Sequence, residues 1–160
     1  MLSSSIFAIE PFSWIDIGAA VFCGFIIGSE RQFRGKPAGI RTSALIILGT
    51  YIFVAASLFV ATDSTDPSRI IGQVVTGIGF LGAGVMLSRD GIVLGVTSAA
   101  TIWGLAAIGV CIAAVSVSTA IKLSIVIVLV LVGVDLFERY FSAFTRGVHK
   151  RMSRNTEKQG

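Results

Sequence analysis

The stretch Thr119 to Phe137 reads TAIKLSIVIVLVLVGVDLF. Its two charges, Lys122 and Asp135, sit near opposite ends. A helix needs roughly 20 mostly apolar residues to cross a hydrocarbon core about 30 Å thick, and this run meets that requirement. Four further stretches do the same: Phe12 to Gly28, Ser43 to Ala61, Ile70 to Leu87 and Thr97 to Val115. The whole chain agrees with them. Of its 160 residues, 54% are hydrophobic and 14% charged, and the mean hydropathy is +0.86. A soluble domain carries about 25% charged residues, so there are too few here to dress a water-facing surface. The apolar content excludes disorder, and the shortage of charge argues against a soluble enzyme. Two Cys do not make a disulfide scaffold. The expected fold is all-α: a polytopic membrane protein of about five transmembrane helices in contact with the lipid bilayer.

The basic residues give the orientation, because Lys and Arg resist translocation. With the N-terminus outside, eleven of them fall on the cytoplasmic side: Arg31, Arg34, Lys36, Arg41, Arg89 and six in the tail. Only Arg69 and Lys122 fall outside. The expectation is N-out and C-in, with the net charge of +4 serving topology rather than nucleic-acid binding. Met1 to Ser13 has no Lys or Arg and carries Glu10, so the first helix reads as retained rather than as a cleaved signal. Residues 1–138 form the membrane domain. Residues 139–160 read as a cytoplasmic basic amphipathic helix and tail, with Phe137, Phe141, Phe144 and Val148 at helical spacing beside Arg139, Arg146, Lys150 and Arg151.

Few acidic groups remain once topology is accounted for. Asp16 and Glu30 are 14 residues apart. On a helix that places them about 40° apart in angle and about 21 Å apart along the axis, on one face. Ala20, Cys23 and Ile27 lie between them on that face. Intramembrane carboxylates are costly and face the bundle interior or water. The segment from Glu30 to Thr42 holds Arg31, Arg34, Lys36 and Arg41, and Pro37 and Gly39 mark it as a turn. Arg supplies a fixed fork for carboxylates or phosphates, and Glu30 with Arg41 across the turn is the expected lock.

Glycines are dense inside the apolar segments. Ala20, Gly24 and Gly28 form a small-residue stripe, which permits close helix packing where lipid gives no hydrophobic drive. Gly77, Gly79, Gly82 and Gly84 crowd the third segment, enough to allow a break or a close approach of backbone to a ligand. Gln73 and Thr76 on the third segment, with Thr97, Ser98, Thr101 and Trp103 on the fourth, are the polar or interfacial groups available to line a path. No nucleophilic triad, phosphate loop or metal-ligand cluster is visible. No enzyme activity, cofactor or bound metal is therefore expected.

Two blocks carry a resemblance. Gly28-Ser29-Glu30-Arg31 followed by Lys36-Pro37-Ala38-Gly39-Ile40-Arg41-Thr42, and the run Gly77-Ile78-Gly79-Phe80-Leu81-Gly82-Ala83-Gly84-Val85-Met86-Leu87, resemble signatures of the MgtC/SapB family. Gly95-Val96-Thr97-Ser98-Ala99-Ala100-Thr101-Ile102-Trp103 is similar to that family's Gly-Leu-Thr-Thr-Ala-Ala-Thr-x-Trp run, with Val96 and Ser98 as departures. Asp16 matches the family's acidic position in the first helix. The resemblance implies a bacterial inner-membrane protein linked to growth in low magnesium. In some members it also implies survival inside macrophages. The family's named member is associated with inhibition of the F-type ATP synthase. The chain looks like the short form, without the cytoplasmic ACT-like domain that some members add. Two functions follow as expectations. One is a regulator of another membrane complex, acting through glycine-rich faces. The other is a small oligomeric transporter or channel for Mg²⁺ or protons.

Overall fold

The structure is a computed structural model and describes residues 9–62, 66, 68–89 and 92–140. It contains five α-helices and one short hairpin: α1 (Trp14–Phe33), α2 (Ile40–Val60), α3 (Ser68–Gly84), β1 (Leu87–Arg89), β2 (Ile92–Leu94), α4 (Val96–Ala114) and α5 (Val117–Tyr140). Among the described residues, three helical segments are long and apolar enough to cross a membrane: Ile40–Val60, Val96–Ala114 and Val117–Val134. At 17 residues, α3 spans about 26 Å, slightly less than a hydrocarbon core.

Local chemistry sets the helix ends. Ser13 caps α1, its side chain accepting a hydrogen bond from the Ile15 N–H at 3.2 Å, and Asp16 lies in the positively polarised first turn. The helix does not stop at Glu30. It runs on to Phe33 and ends in a glycine cap at Gly35, whose φ is +62°. There the Lys36 N–H bonds back to the Arg31 carbonyl at 2.9 Å and the Gly35 N–H to the Gln32 carbonyl at 3.1 Å, the paired closure that a left-handed residue after a helix permits. The expected turn is therefore confined to residues 34–39. Gly95, at φ +89°, opens α4, and a Cβ there would collide with the Val85 carbonyl. Ser116 opens α5, accepting from the Thr119 N–H at 3.2 Å.

One unit comprises residues up to Ile127. In it α2 packs against both α1 and α4. The seams are made by glycines. A Cβ at Gly28 would lie 2.5 Å from the Ile40 Cα, and one at Gly24 would overlap the Ala44 backbone. On the other flank, a Cβ at Gly109 would lie 2.5 Å from the Ile47 carbonyl oxygen. Between these seams Ala20, Cys23, Ile27, Ile47, Tyr51, Val54, Leu105 and Ile108 are buried. The second unit begins at Val128. Its described part continues α5, with Leu129, Val130, Val134, Leu136 and Phe137 exposed. Apolar side chains exposed in this number belong against lipid.

Two features differ from expectation. The third segment stays one continuous helix through Gly77, Gly79 and Gly82 to Gly84. Packing holds it: Ile78 is buried with Ile102 and Ala106 of α4, and Gly82 sits against Ala99. The end of that segment, from Leu87, is not helical but pairs as a hairpin, Leu87 with Leu94 and Arg89 with Ile92. Of the amphipathic helix and tail expected over residues 139–160, Arg139 and Tyr140 belong to the end of α5 and residues 141–160 lie outside the described residues.

Candidate functional site

Two polar clusters sit at opposite ends of α1, joined by the face that Asp16 and Glu30 share. At the first end, the Tyr51 hydroxyl donates to Asp16 Oδ2 at 3.1 Å and accepts from the Ser13 N–H at 3.1 Å. Tyr51 is 1% exposed, and its ring meets Phe12 edge-on with centroids 6.2 Å apart. One phenol thus ties the start of α1 to the middle of α2. Sequence reasoning missed Tyr51 and Ser13. The available signal was a tyrosine inside an apolar run, because a buried phenol seeks a partner for its hydroxyl.

At the other end, Glu30 lies between two guanidinium groups. Arg34 Nε is 2.7 Å from Glu30 Oε1 and Arg31 Nη1 is 3.8 Å from Oε2. The Glu30 side chain is only 7% exposed. Neither carboxylate oxygen receives a hydrogen bond of good direction, so the Arg34 contact is an ion pair and not a directed bond. Arg31 is buried and donates from Nη2 to Ser98 Oγ at 2.7 Å, linking α1 to α4, while its Nε has no hydrogen-bond partner among the described residues. A buried carboxylate and guanidinium with hydrogen bonds still unmade leave room for one further polar group or a proton. The expected lock to Arg41 is replaced. Because α1 continues past Glu30, Arg34 stands one turn on along the same face, while Arg41 is exposed at the start of α2.

Between the clusters the shared face is closed: Ala20, Cys23 and Ile27 are fully buried. The other candidate residues do not converge. Ser98 and Thr101 turn inward on α4, and the Thr101 hydroxyl bonds back to the Thr97 carbonyl at 2.7 Å, while Thr97 is exposed. Thr42, Gln73 and Thr76 are exposed, and Thr76 bonds back to the Gly72 carbonyl at 3.0 Å. Trp103 is exposed and borders a cavity of about 170 Å³ between α3 and α4. Gly77, Gly79 and Gly84 have open space where a side chain would stand, whereas Gly82 is covered by Ala99. Among the described residues, no group of three or more His, Cys, Asp and Glu is placed to hold a metal ion.

The Glu30, Arg31 and Ser98 cluster joins two of the runs that carry the resemblance, residues 28–42 and 95–103, and the family model described as MgtC family matches residues 17–140. The chain belongs to the MgtC family. It is 50% identical over 101 residues to the putative magnesium transporter YhiD of Escherichia coli strain K12, covering 59% of this chain and 46% of that protein. It is 46% identical over 96 residues to Protein MgtC of Salmonella typhimurium strain LT2, covering 60% of this chain and 41% of that protein. Protein MgtC of Brucella abortus strain 2308 is 46% identical over 94 residues, covering 59% and 39%. The chain spans less than half the length of these MgtC-family relatives. No solved structure matches it.

Proposed function

We propose that this MgtC-family chain is an inner-membrane protein of bacterial magnesium homeostasis that regulates another membrane complex by docking through α3. It crosses the membrane five times, N-out and C-in. The observation that carries this reading is the unequal use of glycine. Gly24, Gly28 and Gly109 are consumed by internal seams, but Gly72 and Gly79 meet nothing within 4 Å among the described residues. With Thr76 and Ala83 they form an exposed stripe of small residues along one face of α3. In lipid such a stripe lets a second helix approach closely. The family resemblance makes the F-type ATP synthase the first partner to test, and a second copy of this chain the next.

The test is Gly79→Leu. The protein should accumulate in the membrane at the normal level and lose co-purification with its partner. Retained co-purification would overturn the docking role of α3.

The alternative is a small oligomeric transporter for Mg²⁺ or protons. The unsatisfied carboxylate of Glu30 favours it, because a buried group of that kind is a place for an ion or proton to pause. The closed stretch at Ala20, Cys23 and Ile27 weighs against a route along that face within one chain. Reconstituted liposomes separate the two readings. The regulatory reading expects neither Mg²⁺ nor proton flux, and flux abolished by Asp16→Asn would overturn it.

A further inference from the structure

An open groove of about 620 Å³ runs between α2 and α3. On α2 its wall extends from Thr42 to Phe53 and on α3 from Ile70 to Leu81. Both walls use the same helical spacing, so each contributes one continuous stripe. The lining is almost wholly apolar apart from Thr42, Thr50 and Gln73. Gly49 and Gly77 make the groove deep, since nothing lies within 4 Å of where their side chains would stand. The groove is distinct from the small-residue stripe, which occupies the opposite face of α3.

Three features identify what fills it. The first is length. The rise along α2 from Thr42 to Phe53 is about 16 Å, close to half of a hydrocarbon core about 30 Å thick. The groove is about as long as one leaflet is thick. The second is chemistry. An apolar groove facing lipid gains its contacts through dispersion, and a flexible hydrocarbon chain can follow its walls. The third is charge. At the Thr42 end stand Arg41 and Lys36, both exposed. At the Ile70 end the cation Arg69 lies beside Asp66, whose carboxylate is held ionised by bonds from Ser68. Among the described residues, only the Thr42 end offers uncompensated positive charge at the headgroup level.

We infer that the α2–α3 groove binds one acyl chain of an anionic phospholipid, with the headgroup phosphate held at the Arg41 end. The site does not depend on the regulatory reading, only on the chain lying in a bilayer. In the proposed orientation it draws lipid from the cytoplasmic leaflet, where basic residues near the surface attract anionic headgroups.

The test uses the full chain in nanodiscs of equal phosphatidylglycerol and phosphatidylcholine, released and weighed by native mass spectrometry. One retained phospholipid per chain is expected, with phosphatidylglycerol favoured on the order of tenfold. Gly49→Leu fills the groove from α2 and should abolish retention. Gly77→Leu fills it from α3 and should do the same, which guards against misfolding of either variant. Arg41→Gln should keep the lipid and bring the two headgroups towards equal retention. A wild-type chain without retained lipid, equal retention of the two headgroups by the wild type, or a lipid kept by both leucine variants would overturn the inference. So would a dimer that both leucine variants break without any change in lipid, since the occupant would then be a second copy.

Discussion

Glu30 shows how a single side chain changes meaning once its neighbours are placed. By spacing it is one of two carboxylates on a helix face. In the fold it is a nearly buried anion flanked by Arg31 and Arg34, and Arg31 reaches across to Ser98. Removing one member of a buried ion pair leaves the other uncompensated, at a cost on the order of several kcal/mol. Glu30→Gln should therefore lower the yield of folded protein in detergent, measured by size-exclusion recovery. Normal recovery with lost function would instead place Glu30 in the mechanism. At the other end Tyr51 is the joining group. Tyr51→Phe removes the hydroxyl that serves both Asp16 and Ser13, and a net loss of about 1 kcal/mol is expected. A lowered Tm in detergent would register it, and an unchanged Tm would show that the bridge contributes nothing to stability.

At the scale of elements, the glycines divide into two classes that composition does not distinguish. Gly28 is where α1 touches the start of α2, and Gly79 faces open space. Gly28→Val must push the Ile40 backbone away, and overpacking of this kind costs about 1–3 kcal/mol. Gly79→Val should leave thermal stability within error of the wild type. Equal destabilisation by the two would refute the assignment of seams. The start of α3 carries its own test. Ser68 holds the Asp66 carboxyl below its ordinary value of 3.8 by donating to it, with the Ser68 N–H at 2.9 Å from Oδ1. The carboxylate form is the one favoured by folding, so this cap is complete above pH 3.8 and is lost as pH falls through the lower folded value. The protection of the Ser68 amide, relative to its intrinsic exchange rate, should fall over that acid range. Protection that does not change there would show that the cap does not hold the helix end.

For the whole molecule, orientation carries the most consequence. The asymmetry of eleven basic residues against two predicts that residue 5 faces outward. A cysteine introduced there should react with a membrane-impermeant reagent in intact cells. Protection in intact cells, with reaction after permeabilisation, would reverse the topology. It would also move the Arg41 end of the α2–α3 groove to the opposite leaflet without removing the groove. The same basic first loop would then need a different explanation from retention.

The sequence by itself determined the solvent of this protein, the five helices and the family. Each rests on local information: long apolar runs such as Ser43 to Ala61, helical spacing that puts Ala20, Cys23 and Ile27 on one face, and contiguous motifs. The two polar clusters were half legible. Asp16, Glu30, Arg31 and Ser98 stand out as polar groups in apolar surroundings, but their partners come from other helices. Tyr51 is 35 residues from Asp16 and Ser98 is 67 from Arg31. Only the tertiary structure decided which arginine reaches Glu30, because that depends on α1 continuing to a glycine cap at Gly35. It alone decided that the glycine-rich third segment stays helical, because α4 supports it at Ile78 and Gly82. It also decided which glycines are spent on packing and which remain open. Pair contacts between distant segments fix these outcomes, and no local propensity encodes them.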